Sequence, residues 1–358
     1  DENGNITIPA DSLPEGEYTV SVTAKDNCGN DTTLDLSIKK DTTAPQAKVV
    51  VTESNLKRTL SELPIFGKFF NETVKVTVAE ADETATYKPD LSGIAKVEYY
   101  VANKVLTNEE IAAISTWTSA EKVAENVSVN PNNKYVIYGR VTDNAGNVSD
   151  VVASYGFVTD NVVPVISNNA KETWYTDNTD KVTVTVTDNL AGLYSVKYKI
   201  NDGTEQTATL TEGKFDVPVS ALAEGTNTIT VSAEDNSTNV NGTTATPYTI
   251  TVKKDTVKPT ATVSVTAPEK VQTKDGTDYY GGTATVTIAN SDDTSGVKTV
   301  EYKYSTTPIT DPSTITDWTT GTSTTIANGN TGYVYAKVTD NAGLVTYAGS
   351  NKIAVDTI

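Results

Sequence analysis

The stretch VTDNAGN at residues 141–147 is the most informative feature of this sequence, because it recurs along the chain with similar neighbours. Copies occur as VTDNAG at residues 338–343, as TAKDNCGN at residues 23–30 and, more distantly, as SAEDN at residues 232–236. An alternating apolar run leads into each copy, and a second extended run follows it. Asn and Gly tolerate the positive φ angles that a tight turn between two strands needs. The four copies therefore predict four hairpins, each the last hairpin of a β-sandwich.

The residues before each turn alternate with a period of two. Counting back in steps of two from Asp143 reaches Val141 and Ile137, whereas the intervening positions carry Thr142 and Arg140. The same parity places apolar or small residues on one face before the other three turns. A period of two is that of a β-strand with one buried side. We therefore expect one face of each strand to pack on the core and the other to face solvent.

The repeats are separated by short linkers that carry Asp and Pro. The three internal linkers are KDTTAP at residues 40–45, TDNVVP at residues 159–164 and KDTVKP at residues 254–259. Their spacing of about 100 residues is that of one domain per repeat, not of one turn of a solenoid.

Each full repeat also carries an acidic loop that ends in a small residue and Gly. The three loops are DLSGI at residues 90–94, DNLAGL at residues 188–193 and DTSGV at residues 293–297. A strand of the type Val-x-Tyr follows each loop, and β-branched and aromatic residues dominate the runs between turns. This composition predicts an all-β protein. The one helix-like piece, at residues 108–114, should make a single turn.

Charge and composition limit the classes of function. The chain has 358 residues, with 28 Lys and Arg against 46 Asp and Glu, so its net charge is −18. Nucleic acids and anionic membranes bind basic surfaces, so we expect neither as a partner. Abundant carboxylates instead suit hard cations such as calcium. No apolar run is long enough to span a membrane, so no membrane insertion is expected within this segment.

No motif in the sequence points to catalysis. The chain contains no His and one Cys, which removes the commonest general base and any intrachain disulfide. It has neither a Gly-rich phosphate-binding loop nor a nucleophile elbow. The acidic residues recur at loop positions in every repeat, and tandem repetition is not how a single active site is built. We therefore expect that the protein is not an enzyme.

The linkers, loops and turns together resemble the bacterial immunoglobulin-like (Big-type) repeats of large surface proteins and adhesins. Repeats of that family run from a Thr-Ala-Pro linker through an acidic Ser-Gly loop and a Val-x-Tyr strand to an Asp-x-Ala-Gly-Asn hairpin. The linker at residues 40–45 and the turn at residues 141–147 match best, whereas NSTN at residues 236–239 lacks the Ala-Gly pair. The resemblance implies tandem immunoglobulin-like β-sandwiches arranged as an elongated rod.

The linkers then define the expected domains. We predict the C-terminal part of an incomplete immunoglobulin-like domain at residues 1–41 and three complete immunoglobulin-like domains at residues 42–160, 161–255 and 256–358.

The sharpest chemical hypothesis is calcium at the domain junctions. In an immunoglobulin-like sandwich the acidic loop and the last hairpin turn lie at the end where the chain enters, so three carboxylates should meet there. Like charges repel unless a cation neutralises them, and carboxylates are preferred ligands of calcium. The predicted ligands are Asp41, Asp90 and Asp143 at the first junction, Asp160, Asp188 and Asp235 at the second, and Asp255, Asp293 and Asp340 at the third. Backbone carbonyls and the nearby Asp82, Asp292, Asn144 and Asn341 could complete a shell of six to eight oxygens. Some large adhesins of similar sequence hold calcium at such junctions, so the resemblance implies the same cofactor. The alternative is that these are turn residues bonded to their own backbone.

Aromatic residues give a second candidate site. Trp174, Tyr279 and Tyr280 lie in irregular stretches and could stack on sugar rings, as exposed aromatics do in carbohydrate-binding modules. The alternative is that such residues pack against the sheets.

We interpret the chain as a non-catalytic structural stalk or spacer segment of a bacterial cell-surface adhesin-like protein, on the cell surface or secreted. Short Pro-containing linkers favour rigidity, since a flexible string would need long Gly/Ser linkers. Its partners would be the neighbouring immunoglobulin-like domains of the same chain. The alternative is a carbohydrate-binding or host-protein-binding module of a larger secreted protein or enzyme, with a glycan or a host surface protein as partner.

Overall fold

The computed structural model describes residues 4–63 and 65–356. The described residues form seven β-sheets, and the predicted all-β fold is confirmed. The chain divides into two compact units. The first runs to Pro164 and also contains Asp188–Tyr194 and Glu234–Val240, whereas the second contains the other described residues. The four domains inferred from the linkers stay a prediction.

The first repeat contributes a single hairpin. Strands β1 (Gly16–Lys25) and β2 (Asp31–Lys40) pair antiparallel on either side of the turn at Asp26, after a 3-10 turn at Ala10–Ser12. The predicted hairpin is thus present at this position.

The second repeat contains two sheets and one short helix. Its strands are β3 (Ala47–Val51), β4 (Leu56–Thr59), β5 (Lys68–Phe70), β6 (Val74–Glu80), β7 (Ile94–Ala102), β8 (Thr118–Ala120), β9 (Ala124–Val129), β10 (Asn133–Asp143), β11 (Val152–Ala153) and β12 (Phe157–Thr159). One sheet has the order β3-β6-β9, and the other has the order β4-β5-β12-β10-β7-β8 with β11 paired to β10. The predicted helical turn is α1 (Asn108–Ala112).

The third repeat has the same arrangement of two sheets. Its strands are β13 (Val165–Asn168), β14 (Trp174–Tyr175), β15 (Lys181–Thr187), β16 (Leu193–Ile200), β17 (Gln206–Thr207), β18 (Lys214–Pro218), β19 (Gly225–Asp235), β20 (Val240–Asn241) and β21 (Tyr248–Lys254), with a 3-10 turn at Val219–Ala221. The sheet orders are β13-β15-β18 and β14-β21-β19-β16-β17, with β20 paired to β19.

The fourth repeat closes the described chain. Its strands are β22 (Thr260–Ala267), β23 (Lys270–Lys274), β24 (Thr277–Tyr280), β25 (Ala284–Ser291), β26 (Val297–Ser305), β27 (Thr319–Thr320), β28 (Ser323–Ile326), β29 (Thr331–Asp340), β30 (Val345–Gly349) and β31 (Lys352–Val355), with a 3-10 turn at Pro312–Thr314. The sheet orders are β22-β25-β28 and β23-β24-β31-β29-β26-β27, with β30 paired to β29.

In every complete repeat the segment after the recurring turn is split into two strands. The short strand beside the turn (β11, β20 or β30) pairs with the strand that enters the turn. The later strand (β12, β21 or β31) pairs antiparallel with the beginning of that same strand and parallel with a strand from the start of the repeat. The last strand of each complete repeat is thereby held beside a strand from its first part.

The expected exposure of the outer strand faces is wrong for part of β10. Ile137 and Val141 lie in the core between the sheets, as predicted, but Val136 and Tyr138 on the opposite face are only 2% exposed. A second apolar cluster that includes Trp117 covers them. The period of two correctly predicted a β-strand with two distinct faces. It could not predict that the connection between β7 and β8 folds over the outer face.

None of the helices in the described part of the chain is long and apolar enough to cross a membrane.

Candidate metal centres

Each candidate centre begins with the turn that contains the recurring Asp. The backbone N–H of Asp143 donates to the carbonyl oxygen of Asn147 (3.1 Å), which closes the turn. In return, the backbone N–H of Asn147 donates to Oδ1 of Asp143, and the Asn147 side-chain amide donates to Oδ2, both at 2.8 Å. Asp143 is 1% exposed. The turn therefore wraps around its own carboxylate and holds it in one orientation.

The linker and the acidic loop bring two more carboxylates to the same place. The backbone N–H groups of Thr43 and Ser92 donate to the two oxygens of Asp41 (3.1 Å each), and Ser92 also donates to Asp90 (2.9 Å). Asp41, Asp90 and Asp143 each offer an oxygen, and these atoms lie within 4.8 Å of one another. The first predicted set of three carboxylates is therefore brought together.

The second set meets in the same way. Asp160, Asp188 and Asp235 have oxygens within 4.8 Å of one another, and Asp160 and Asp235 are fully buried. The N–H of Ala191 donates to Oδ2 of Asp160 (3.0 Å). The side-chain amide of Asn239 donates to Oδ2 of Asp235 (2.7 Å), as Asn147 does in the first set.

The third set differs from the prediction by one residue. The carboxylates that meet are Asp255, Asp292 and Asp340, whereas the predicted Asp293 is exposed and lies outside the group. Asp292 accepts from the N–H of Gly296 four residues later (2.7 Å), as Asp188 does from Gly192. The correction follows from loop length, because Asp293 copies the three-residue spacing of the first loop and Asp292 copies the four-residue spacing of the second.

The third set also contains buried carboxylate oxygens without a donor. Asp255 and Asp340 are fully buried, and in each of them Oδ1 accepts a backbone N–H while Oδ2 has no hydrogen-bond partner among the described residues. A buried polar atom without a partner carries the full cost of its desolvation. Three carboxylates with two free oxygens form an oxygen-rich, anionic environment that suits a hard cation.

At each of the first two centres, burial and the neighbouring carboxylates raise the pKa of one Asp. Burial, reinforced by the charges of Asp41 and Asp143, raises the pKa of Asp90 above its ordinary value. Burial also raises the pKa of Asp235, where bonds from Asn239 oppose the shift and the nearby Asp188 and Asp160 add to it.

At Asp41, by contrast, burial acts upward but the donors Thr43 and Ser92 outweigh it, so the pKa lies below its ordinary value. The carboxyl group with the raised pKa is thus the loop Asp90 at the first centre and the turn Asp235 at the second.

The predicted aromatic platform is not assembled as one exposed surface. Tyr280 is 6% exposed and packs in the apolar core of the fourth repeat, so its ring is unavailable to a sugar. Trp174 and Tyr279 are half-buried, in β14 and β24 of different repeats.

The residue that sequence reasoning missed is the Asn four positions after the turn Asp. Asn147 and Asn239 bind the turn carboxylate and also donate to the linker carbonyl oxygens of Asp41 (3.3 Å) and Asp160 (2.8 Å). The recurrence of Asn could have identified this position, because Asn occupies it in three of the four turns and Leu344 occupies it in the last.

Comparison with known structures finds several multidomain β-sandwich proteins of low identity. A tetra-tandem repeat in the extending region of a large adhesion protein is 17% identical, with a TM-score of 0.36 over 97% of this chain and 83% of that chain. The FN1–FN3 domains of chicken CNTN1 are 14% identical, with a TM-score of 0.28 over 87% and 97%. The fibronectin(III)-like modules of Clostridium thermocellum CbhA are 16% identical, with a TM-score of 0.24 over 58% and 95%.

One family model matches the chain. It describes a bacterial Ig-like domain (group 3) and matches residues 2–88, a segment that runs across the linker beginning at Asp41. No curated protein is significantly similar to the chain. The resemblance to bacterial immunoglobulin-like domains is therefore confirmed for residues 2–88, the first quarter of the sequence.

Proposed function

We propose that this chain is a non-catalytic structural segment of a bacterial surface or secreted protein, in which calcium at the three acidic centres stiffens the junctions between tandem sandwiches. The segment would act as a stalk or spacer, with the neighbouring immunoglobulin-like domains of the same chain as its partners. Immunoglobulin-like families are in general structural modules, which fits a role without chemistry.

The observation that carries the cation proposal is the pair of unpartnered oxygens at the third centre. Oδ2 of Asp255 and Oδ2 of Asp340 are buried beside the carboxylate of Asp292 and accept no hydrogen bond from the described residues. Repulsion among such carboxylates would destabilise the native state unless protons or a cation neutralise them. Calcium is favoured because it takes six to eight oxygen ligands in flexible geometry, and backbone carbonyls and water can supply the remainder.

The contacts of the linkers support a stiffening role. On one side, Thr42 donates its N–H (2.9 Å) and its hydroxyl (2.5 Å) to the carboxylate of Glu15. On the other side, the adjacent Asp41 belongs to the first acidic centre. Thr256 repeats this arrangement, because it donates its N–H (2.9 Å) and its hydroxyl (2.7 Å) to Glu224 and follows Asp255. A cation at these centres would add bonds at a point where the linker is already held.

A calcium titration of the chelator-treated full chain tests the proposal. We expect heat of binding in calorimetry and a rise in melting temperature, since a ligand at 100 times its Kd stabilises the native state by about 2.7 kcal/mol. Magnesium should have a smaller effect, because it demands near-ideal octahedral geometry and dehydrates reluctantly. Small-angle scattering with and without calcium should give a longer, less flexible particle when calcium is bound.

The matched variants are Asp340→Asn at the third centre and Asp293→Asn just outside it. Asp340→Asn should remove one class of calcium sites, whereas Asp293→Asn should leave the titration unchanged because Asp293 does not belong to the centre. If millimolar calcium produces no heat of binding and no rise in melting temperature, the cation part of the proposal is contradicted. A particle that is equally flexible in both conditions would contradict the stiffening role.

A further inference from the structure

One position at which the three acidic centres differ is the residue four places after the turn Asp. That position holds Asn147 in the first centre, Asn239 in the second and Leu344 in the third. The backbone hydrogen bond at this position is the same in all three centres. Each of these residues donates its N–H to Oδ1 of the turn Asp, at 2.8, 2.9 and 2.8 Å respectively. The difference is therefore confined to the side chain.

In the first two centres this side chain joins the turn to the linker. The amide of Asn147 donates both to Oδ2 of Asp143 (2.8 Å) and to the carbonyl oxygen of Asp41 (3.3 Å). The amide of Asn239 donates both to Oδ2 of Asp235 (2.7 Å) and to the carbonyl oxygen of Asp160 (2.8 Å). We call this pair of bonds the amide strap. It involves protein atoms alone, so it fastens the incoming chain to the sandwich without any ion.

The third centre has no amide strap. The side chain of Leu344 has no donor. Oδ2 of Asp340 is buried without a hydrogen-bond partner among the described residues, whereas the equivalent oxygens of Asp143 and Asp235 accept a side-chain amide. The linker residue Asp255 also differs, because no donor in the described part of the chain reaches its Oδ2, whereas Oδ2 of Asp41 and of Asp160 accept backbone N–H groups from the acidic loop. The two oxygens left free belong to the linker and to the turn, the same two parts that the strap joins elsewhere.

We propose that the amide straps of Asn147 and Asn239 fasten the first two linkers independently of calcium, whereas a cation held by Oδ2 of Asp255 and Oδ2 of Asp340 fastens the third. The inference rests on the proposed function for the identity of the cation and goes beyond it by ranking the centres. The order and rigidity of the linker at residues 254–259 then depend strongly on calcium concentration, while those of the linkers at residues 40–45 and 159–164 depend on it much less.

Hydrogen exchange of the full chain, followed by mass spectrometry on peptides that contain each linker, tests this inference. In the chelator-treated protein, Asn239→Leu should accelerate exchange in residues 159–164, and Leu344→Asn should slow it in residues 254–259. Each effect should be about tenfold, which corresponds to one charge-assisted hydrogen bond gained or lost. Calcium should protect residues 254–259 of the unmodified chain about tenfold or more and should protect residues 159–164 much less.

Two controls separate the strap from other effects of substitution. Asn30 donates its backbone N–H to Oδ1 and its side-chain amide to Oδ2 of Asp26 (2.9 Å each) in an exposed turn outside the three acidic centres, so Asn30→Leu should change exchange in none of the three linkers. Leu344→Ala removes the leucine without adding a donor and should not slow exchange in residues 254–259. If Asn239→Leu fails to fold, Asn147→Leu provides the same test at residues 40–45.

The outcomes distinguish this inference from the proposed function. Failure of Leu344→Asn to slow exchange in the calcium-free protein overturns the strap, whether or not calcium binds. Equal protection of all three linkers by calcium overturns the ranking and leaves the proposed function standing. Absence of calcium binding at every centre contradicts the cation part of both, while the calcium-free comparison still decides whether the straps hold the linkers.

Discussion

The guanidinium carbon of Arg58 lies 3.2 Å from the centroid of the Tyr194 ring. The same guanidinium donates from Nη1 to the carbonyl oxygen of Asp235 and from Nη2 to Oε1 of Glu234, both at 2.9 Å. The Arg58 side chain is 17% exposed. A planar cation that stacks on a ring and binds two acceptors is thus placed next to the second acidic centre, so Arg58 holds the strand end that carries Asp235.

We therefore predict a favourable coupling between Arg58 and Tyr194. In a double-mutant cycle with Arg58→Ala and Tyr194→Leu, the interaction free energy should be about 1–2 kcal/mol, the range for a cation–π contact that is partly shielded from water. The measurement is the free energy of unfolding in denaturant for the four proteins.

The control for this cycle is Arg58→Lys, which keeps the charge but loses the flat fork that stacks and binds two acceptors. It should recover less than half of the stability lost in Arg58→Ala. A coupling indistinguishable from zero, or full recovery by Lys, would show that the contact contributes only its charge.

Asp235 and Asp26 should titrate on opposite sides of the ordinary Asp value of 3.8. Both occupy the same position in the recurring turn and accept bonds from an Asn four residues later. In Asp26 these bonds from Asn30 lower the pKa, whereas burial and the neighbouring Asp188 and Asp160 raise the pKa of Asp235. NMR titration of the side-chain carboxyl carbons measures both values, and a lower pKa for Asp235 than for Asp26 would refute the electrostatic picture of the second centre.

The two shifts have opposite consequences for stability. Because the pKa of Asp235 is raised on folding, its contribution to stability is greatest below the unfolded-state value and is lost as pH rises through the folded-state value. Because the pKa of Asp26 is lowered, its contribution is present above the unfolded-state value and is lost as pH falls through the folded-state value. If calcium binds at the second centre, added calcium should lower the pKa of Asp235 and leave that of Asp26 unchanged.

We predict that replacing Gly139 of β10 by a larger residue destabilises the protein because a side chain there would collide with its neighbours. The backbone conformation of Gly139 is not the reason. A Cβ at this position would lie 2.4 Å from Cγ1 of Val78 and 2.9 Å from Cγ2 of Val49. Gly139→Ala should therefore reduce the free energy of unfolding by about 1–3 kcal/mol, the usual cost of overfilling a packed core. Chemical denaturation measures the loss.

The matched control for this substitution is Gly281→Ala. A Cβ at Gly281 would have its nearest neighbour at 3.7 Å, an ordinary contact. The control should be neutral or should stabilise by about 0.4–1 kcal/mol through the lower entropy of the unfolded chain. If Gly139→Ala reduces the free energy of unfolding no more than Gly281→Ala does, the two sheets of the second repeat move apart easily enough to accommodate the added methyl group.

The sequence was sufficient to predict the parts of the fold that depend on local chemistry. The turn at Asp143 and the buried parity of Val141 follow from residues close together in the chain, and the grouping of Asp143 with Asp41 followed from the immunoglobulin-like sandwich that the repeats resemble. The choice between Asp292 and Asp293 could not be predicted, because both give loop lengths that another repeat uses. The burial of Tyr138 could not be predicted either, since the segment that covers it is distant in sequence and has no regular apolar period.

The connections that cover the outer faces are each held by a buried tyrosine. The backbone N–H of Leu106 donates to the hydroxyl oxygen of Tyr138, and that of Ile309 donates to the hydroxyl oxygen of Tyr335, both at 2.7 Å. The two tyrosines are 2% and 6% exposed. Replacing either by Phe preserves the ring but leaves the N–H group without its acceptor.

We predict that Tyr138→Phe lowers the free energy of unfolding by about 1–3 kcal/mol, the cost of an unsatisfied buried donor. Hydrogen exchange should become faster at the amide of Leu106 and should stay unchanged at the amide of Ile309, and Tyr335→Phe should give the reverse pattern. Each variant is thus the control for the other. Faster exchange at both amides in one variant would indicate general loosening of the chain, and no change at either amide would show that the hydroxyl groups do not hold these connections in place.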